Sequence, residues 1–472
     1  MRQSSSVSCR RISHGCARLL LSCAACILLT VTQLSAQDWP HWRGPDRNGT
    51  STAASGWSNT GWLNPEPIWQ QQVFEGSSAP LVVDDKVLVT GWKDGTDILQ
   101  CLAGTDGKVL WQAASAAPKF GRLALGDQGL YGGPTSAPEF APETGMLYTL
   151  SCDGDLQCRD TRRDGALIWQ VQLHDRYQVQ QRPRVGRSGH RDYGFTTAPL
   201  LHGNWLIVEV GATSGTVVAF QKDSGAEAWK SAASVPAGHT GGLVPMTVDE
   251  IPCLAVMTFQ GLLVLRLDAD HAGSTVAEHE WITSFANNVA TPAVFGNSVL
   301  ITSAYNHNAI ARIDVSLTGA QEVWKQPFAS KVCTPVIHDG NIYWAWQQLH
   351  CLNFATGEQK WAGGQWGDAG SCILTSDERL IVWGDQGKLG LVETARRSPD
   401  EYQELEIRTR VFNSDAWPHV AFAGNRLFCR DRKGNIACFE LKEPRQNSSC
   451  SMPALRALLL VLHAAPQPRL FH

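Results

Sequence analysis

One phrase recurs along this chain and restricts its fold more than any other feature. It is a turn bearing glycine, followed by a short strand that reaches tryptophan. The clearest copies are Asp106-Gly107-Lys108-Val109-Leu110-Trp111, Asp164-Gly165-Ala166-Leu167-Ile168-Trp169, Ser224-Gly225-Ala226-Glu227-Ala228-Trp229 and Thr356-Gly357-Glu358-Gln359-Lys360-Trp361, with looser copies ending at Trp281 and Trp324. They return at roughly 40–60 residue spacing, the mark of an array of like units. A unit this short cannot bury its own apolar face, so each copy must pack on its neighbours.

Between successive phrases the chain reads as three further strands. Opening strands begin near Ser78, Thr135, Thr196, Thr240, Val289, Val332, Ser371 and Pro418. Most carry proline early, as in Ser78-Ala79-Pro80, Ser136-Ala137-Pro138 and Thr197-Ala198-Pro199, where few ladder bonds are lost. Eight openings, about 47 residues apart, predict an all-β, eight-bladed β-propeller of four-stranded antiparallel blades. Seven blades is the alternative count, because the fourth and seventh copies are degenerate. The last copy ends at Leu441-Lys442 without tryptophan, whereas Ile68-Trp69 is a strand with no complete copy before it. Pairing the two would close the ring and remove its exposed edge.

Charge and targeting bound the function. Formal net charge is −4 over 472 residues, which gives no general attraction for nucleic acid. Arg2, Arg10, Arg11 and Arg18 precede an apolar run, Leu19 to Val31, and Leu34-Ser35-Ala36 supplies a cleavage site. Residues 1–36 therefore read as a signal peptide, and a periplasmic or secreted protein is expected. A lipid anchor at Cys23 is not expected, since almost no apolar run would precede it. Residues 37–65 read as an irregular segment, 66–442 as the propeller and 443–472 as a tail outside it. The tail's apolar run, Leu455 to Ala465, is too short to span a bilayer, so a monomer without a transmembrane span is expected.

Cysteines follow the repeat. Cys101, Cys158, Cys351 and Cys438 share one repeat position with Ala219 and Ala311, a place for a small buried side chain. If Lys433-Gly434 forms a two-residue turn, Cys429 and Cys438 face each other and can form a disulfide. A slip of one residue removes that pairing.

The Gly-x-x-x-Trp phrases, with leads such as Arg312-Ile313-Asp314, resemble the quinoprotein-type (PQQ-like) β-propeller repeat. The opening Trp39-Pro40-His41-Trp42-Arg43-Gly44-Pro45 is similar to the start of exported PQQ-like propellers common in planctomycete bacteria, and the architecture resembles that of BamB. The resemblance implies that Trp69, Trp111, Trp169, Trp229, Trp281, Trp324 and Trp361 are structural, each packing on a neighbouring blade. It also implies that enzymatic members hold pyrroloquinoline quinone and calcium in the channel, using an adjacent Cys-Cys disulfide, a tryptophan floor and acidic or Asn ligands. This chain has no adjacent cysteine pair. No catalytic residue, metal or cofactor is therefore expected. A PQQ- and calcium-dependent alcohol or sugar dehydrogenase is the alternative.

Binding residues are expected on long loops held by the rigid ring. The two longest, Gln112 to Gly133 and Val171 to Phe195, are blade-to-blade connections and share one face. They carry Arg122, Arg182, Arg184, Arg187, His190, Arg191 and Tyr193, a basic lip suited to an anionic ligand. The bland alternative is a solvated loop whose arginines pair with nearby acids. Inner-strand starts add His239, Asn288, Trp417 and His419 around the channel. These residues predict a binding or scaffold propeller that docks a protein or an anionic polysaccharide on its loop-rich face.

Overall fold

The computed structural model describes residues 37–118, 133–180, 193–283 and 288–442, and the backbone of 184–185 and 189–190. Residues 1–36 and 443–472, read above as signal and tail, lie outside the described residues.

Eight antiparallel blades form the ring. Their innermost strands are Leu81–Val83, Glu139–Ala141, Leu200–His202, Val244–Val248, Ala293–Phe295, Val336–His338, Ser371–Leu374 and Ala421–Ala423. In most blades the Ser/Thr-x-Pro positions read as strand openings fall just before these strands, in the lead-in segments near the axis. Blade 6 differs in form. Its single strand Asn341–Asn353 serves as both second and third strand, because no Asp-Gly turn interrupts it. Closure is as expected: Trp69–Gln72 becomes the outer strand of blade 8, with Trp69 opposite Cys438 and Gln72 opposite Asn435.

The recurring phrase is a blade-to-blade lock. Gly165 of blade 2 has φ +73°, and a Cβ there would lie 2.6 Å from the indole of Trp111 in blade 1. The same relation joins Trp69 to Gly107, Trp169 to Gly225, Trp229 to Gly273 and Trp324 to Gly357. Several of these indoles also donate to a carbonyl of the next blade, Trp69 Nε1 to Gly104 O at 2.8 Å and Trp169 Nε1 to Lys222 O at 2.9 Å. Glycine is thus needed twice, for the left-handed backbone and for the ring lying on it. Where the next copy is degenerate, another partner serves. Trp281 stacks on His307 at 4.2 Å, and Trp361 meets Tyr402 at 6.0 Å.

Strand register also explains the cysteines. Cys101, Cys158, Cys351 and Cys438 each stand opposite a repeat tryptophan, as Ala219 does. In blade 5 the place belongs to Arg312 rather than Ala311; its guanidinium lies over Phe354 at 4.5 Å. The Cys429–Cys438 disulfide is overturned. Cys429 pairs with Ala437 and Cys438 with Phe428, so the two thiols point to opposite faces of the blade, and both are free. The turn causes the slip: Asp431 N bonds Asn435 O at 3.0 Å, which leaves three residues, not two, between the strands.

Candidate functional site

The irregular N-terminal segment is the centre of the site. It enters the channel beside blade 1, where Trp39 N donates to Val82 O at 2.7 Å and Val82 N returns to Trp39 O at 3.0 Å. It leaves along blade 7, where Ser51 N donates to Leu374 O at 2.8 Å and Leu374 N to Gly49 O at 2.9 Å. Gly44, at φ +89°, folds the segment back onto Trp39. At the turning point Trp42 is driven into the hub. It packs against Ala79, Ala137 and Ala198, the small residues of the Ser/Thr-Ala-Pro motifs, and lies so close to Gly241 and Gly242 that a Cβ at either would come within 2.7 Å of the indole.

Polar groups fix the plug. Arg43 Nη2 donates to Asn48 O at 2.8 Å and Pro335 O at 2.7 Å. Burial lowers its pKa to about 10, so it stays charged at neutral pH. Buried Glu139 of blade 2 accepts from Arg47 and from Leu201 N, and meets His41 Nδ1 at 3.1 Å. Ser55 N and Oγ both donate to Asp377 in blade 7, at 2.7 and 2.8 Å.

On the loop-rich side of Trp42 a small cavity of about 60 Å³ remains, lined in part by His239, Trp417 and His419. His419 rests on Trp42 at 5.1 Å. Burial, reinforced by the Arg43 charge, lowers its pKa to about 3, so it is neutral and unsuited to accept a proton near pH 7. His239 is wedged edge-on between Tyr193 at 5.2 Å and Phe259 at 4.9 Å. Trp417 lies under Arg432 at 4.2 Å and Lys331 at 5.7 Å, and these cations are held by Asp415 and Asp368. Asn288 does not line this cavity. It is fully buried and donates to Thr258 O at 3.0 Å, tying down the end of blade 4.

The structure therefore brings Tyr193, His239, Trp417 and His419 together. Arg122, Arg182, Arg187 and Arg191 lie outside the described residues. Arg184 and His190 are placed only as backbone partners in a short hairpin. Sequence reasoning missed Trp42, Arg43, Lys331 and Arg432. The proline-rich run around Trp42 and the alanines before each blade were the available signals, but nothing local linked them.

Comparison with known proteins bears on the fold. The family described as "Outer membrane protein assembly factor BamB" matches residues 152–280 and 254–363. BamB from Moraxella catarrhalis is similar at 15% identity, over 79% of this chain and 99% of that one, with a TM-score of 0.54. Quinohemoprotein alcohol dehydrogenase from Comamonas testosteroni is similar at 11% identity, over 85% and 80%, with a TM-score of 0.59. The stretch that the family matches is of the PQQ-like repeat type, and the chain that contains it is a β-propeller. A sequence search of curated proteins finds no match. At such identities the structural likeness is one of fold.

On the loop-rich side of Trp42 the hub does not fit the quinone. Sites for ligands of that size occupy about 300–1,000 Å³, whereas about 60 Å³ is left above Trp42. Among the described residues, no group of three or more His, Cys, Asp or Glu could hold a metal ion, and none of the cysteines is paired.

Proposed function

We propose that this PQQ-like propeller is an exported binding scaffold, without chemistry of its own, that docks a protein partner on its loop-rich face. The observation that carries the reading is the plugged hub: Trp42 fills the channel on its loop-rich side and leaves only about 60 Å³ there. The rigid ring keeps its loop-rich face free to present long connections. Half-buried Trp417, with half-buried Lys331 over its ring, gives that face an aromatic anchor, of the type that dominates partner binding. Arg182, Arg184 and Arg187 would extend it as a basic lip. Export rests on the N-terminal signal pattern. Among the described residues, no helix is long and apolar enough to cross a membrane. The family name that matches belongs to an assembly factor, which agrees with a role in holding another protein.

Two measurements test this. Purified protein is mixed with pyrroloquinoline quinone and calcium, with the expectation of neither cofactor absorbance nor dye reduction on alcohols or sugars; either signal would replace the scaffold by the dehydrogenase. Partner capture from periplasmic extract and binding to sulfated glycan arrays are then compared for wild type, Trp417→Ala and the triple change of Arg182, Arg184 and Arg187 to Glu. Protein capture lost in the variants is expected. Binding only to glycans would make the partner a polysaccharide, and capture unchanged in both variants would remove the loop-rich face from the reading.

A further inference from the structure

A larger cavity lies on the opposite face, where the plug leaves the channel half open. Its volume is about 690 Å³, within the range of ligand sites. One wall is the plug itself, through Asp46, Arg47 and Asn48. The other is formed by the inner strands of blades 4, 5 and 6, including Val244, Ala293, Phe295 and Ile337. Phe295 is 55% exposed, held edge-on by Phe354 at 5.3 Å. A large aromatic side chain standing in a groove invites an apolar partner.

We propose that this groove is a second binding site, which takes an extended polypeptide segment carrying apolar side chains by strand addition to the inner edges of blades 4–6. It lies apart from the loop-rich face and goes beyond the reading given above.

Three observations carry it. First, Val244–Val248, Ala293–Phe295 and Val336–His338 are the terminal strands of their sheets, and among the described residues their inward edges carry no main-chain bond. Such an edge is a template for another strand. Second, the molecule already uses this mode on the neighbouring sector: residues 39 and 49–51 join the inner edges of blades 1 and 7 by main-chain bonds. The groove is the sector that the plug leaves unpaired. Third, the wall beside those edges is apolar, through Val244, Ala293, Phe295 and Ile337, which suits the alternate apolar side chains of such a segment. A polysaccharide would leave the strand edges unused.

The test is fluorescence anisotropy with the full-length protein and a labelled, end-blocked peptide of alternating Lys-Val-Thr-Val-Lys type. Saturable binding is expected, weakened at least tenfold by Phe295→Arg or by alternate N-methylation of the peptide. Thermal melts confirm that each variant is folded. The proposal is overturned by absence of saturable binding at millimolar peptide, by equal binding of the N-methylated peptide, or by binding that survives Phe295→Arg yet is lost in Trp417→Ala. The last result would assign the peptide to the loop-rich face. Failure here leaves the loop-face variants free to succeed or fail separately.

Discussion

The rim and the hub of this ring are held by opposite strategies. At the rim, a tryptophan of one blade lies on a glycine of the next, and the same contact recurs with small changes around the circle. In the hub a single, unrepeated segment does the work, with one indole packed among three alanines and one buried guanidinium bonded to carbonyls. The rim spreads its stability over many equivalent seams, so losing one seam loosens a neighbour pair. The hub concentrates it in one stretch that touches blades on opposite sides of the axis. Repetition therefore builds the wheel, and a unique sequence decides what its centre can hold.

The sharpest way to break this comparison is Trp42→Ala. Removing a buried indole typically costs about 3–5 kcal/mol, and denaturant unfolding should show a loss of that order. A loss below about 1 kcal/mol, the level of an ordinary surface change, would mean that the plug merely lies in an otherwise self-supporting channel. At the rim, Gly165→Ala should cost about 2–3 kcal/mol, from a left-handed backbone and a clash with Trp111. A neutral result would show that the seams can relax and that the glycine is not the lock.

Titration separates hub from rim further. His419 takes up its proton near pH 3 in the folded ring, but near 6.5 when unfolded. Between those values the unfolded chain binds more protons, so stability falls as pH drops through the window, by about 1.4 kcal/mol per pH unit. His419→Gln should flatten that slope in urea melts from pH 6.5 to 4; an unchanged slope would mean that His419 is hydrated. Asp97, where blades 1 and 2 meet, behaves in the opposite sense. Burial, with Asp153 and Asp155 nearby, raises its pKa to about 7. Its folded form keeps a proton that the unfolded chain has lost, and this stabilisation disappears as pH rises from about 4 through 7. Asp97→Asn should therefore gain about 1 kcal/mol at pH 8 relative to wild type, discounted for partial exposure, and less at pH 5. An equal effect at both pH values would exclude the titration.

What could be read from the sequence follows the same division. Blade number, the repeat tryptophans and, in every blade but the fifth among those read, the small residue opposite them were legible because each is written several times at a fixed period, and the closing role of Ile68-Trp69 followed from the one place the period leaves empty. The plug was not. Trp42 acts through alanines and glycines between 37 and 200 residues away, and a single copy has no period to reveal it. The Cys429–Cys438 pairing failed for a local reason, one more residue in a turn, which turns a thiol to the other face of its strand. The groove was invisible because it exists only as the space between the plug and inner strand edges that the plug leaves unpaired.

The zipper at blade 8 joins a strand from the front of the propeller to the last hairpin of the chain. During synthesis or passage through an export channel, that front strand emerges first and must wait for its mate until nearly everything else has appeared. In the interval Trp69–Gln72 has an unpaired main-chain edge and an uncovered indole, a surface that associates with whatever is near. In the final architecture blade 8 has its outer strand, but biogenesis passes through a long period in which that place is open. A holding chaperone, or rapid delivery of the carboxyl-terminal third, becomes a condition of yield rather than of stability.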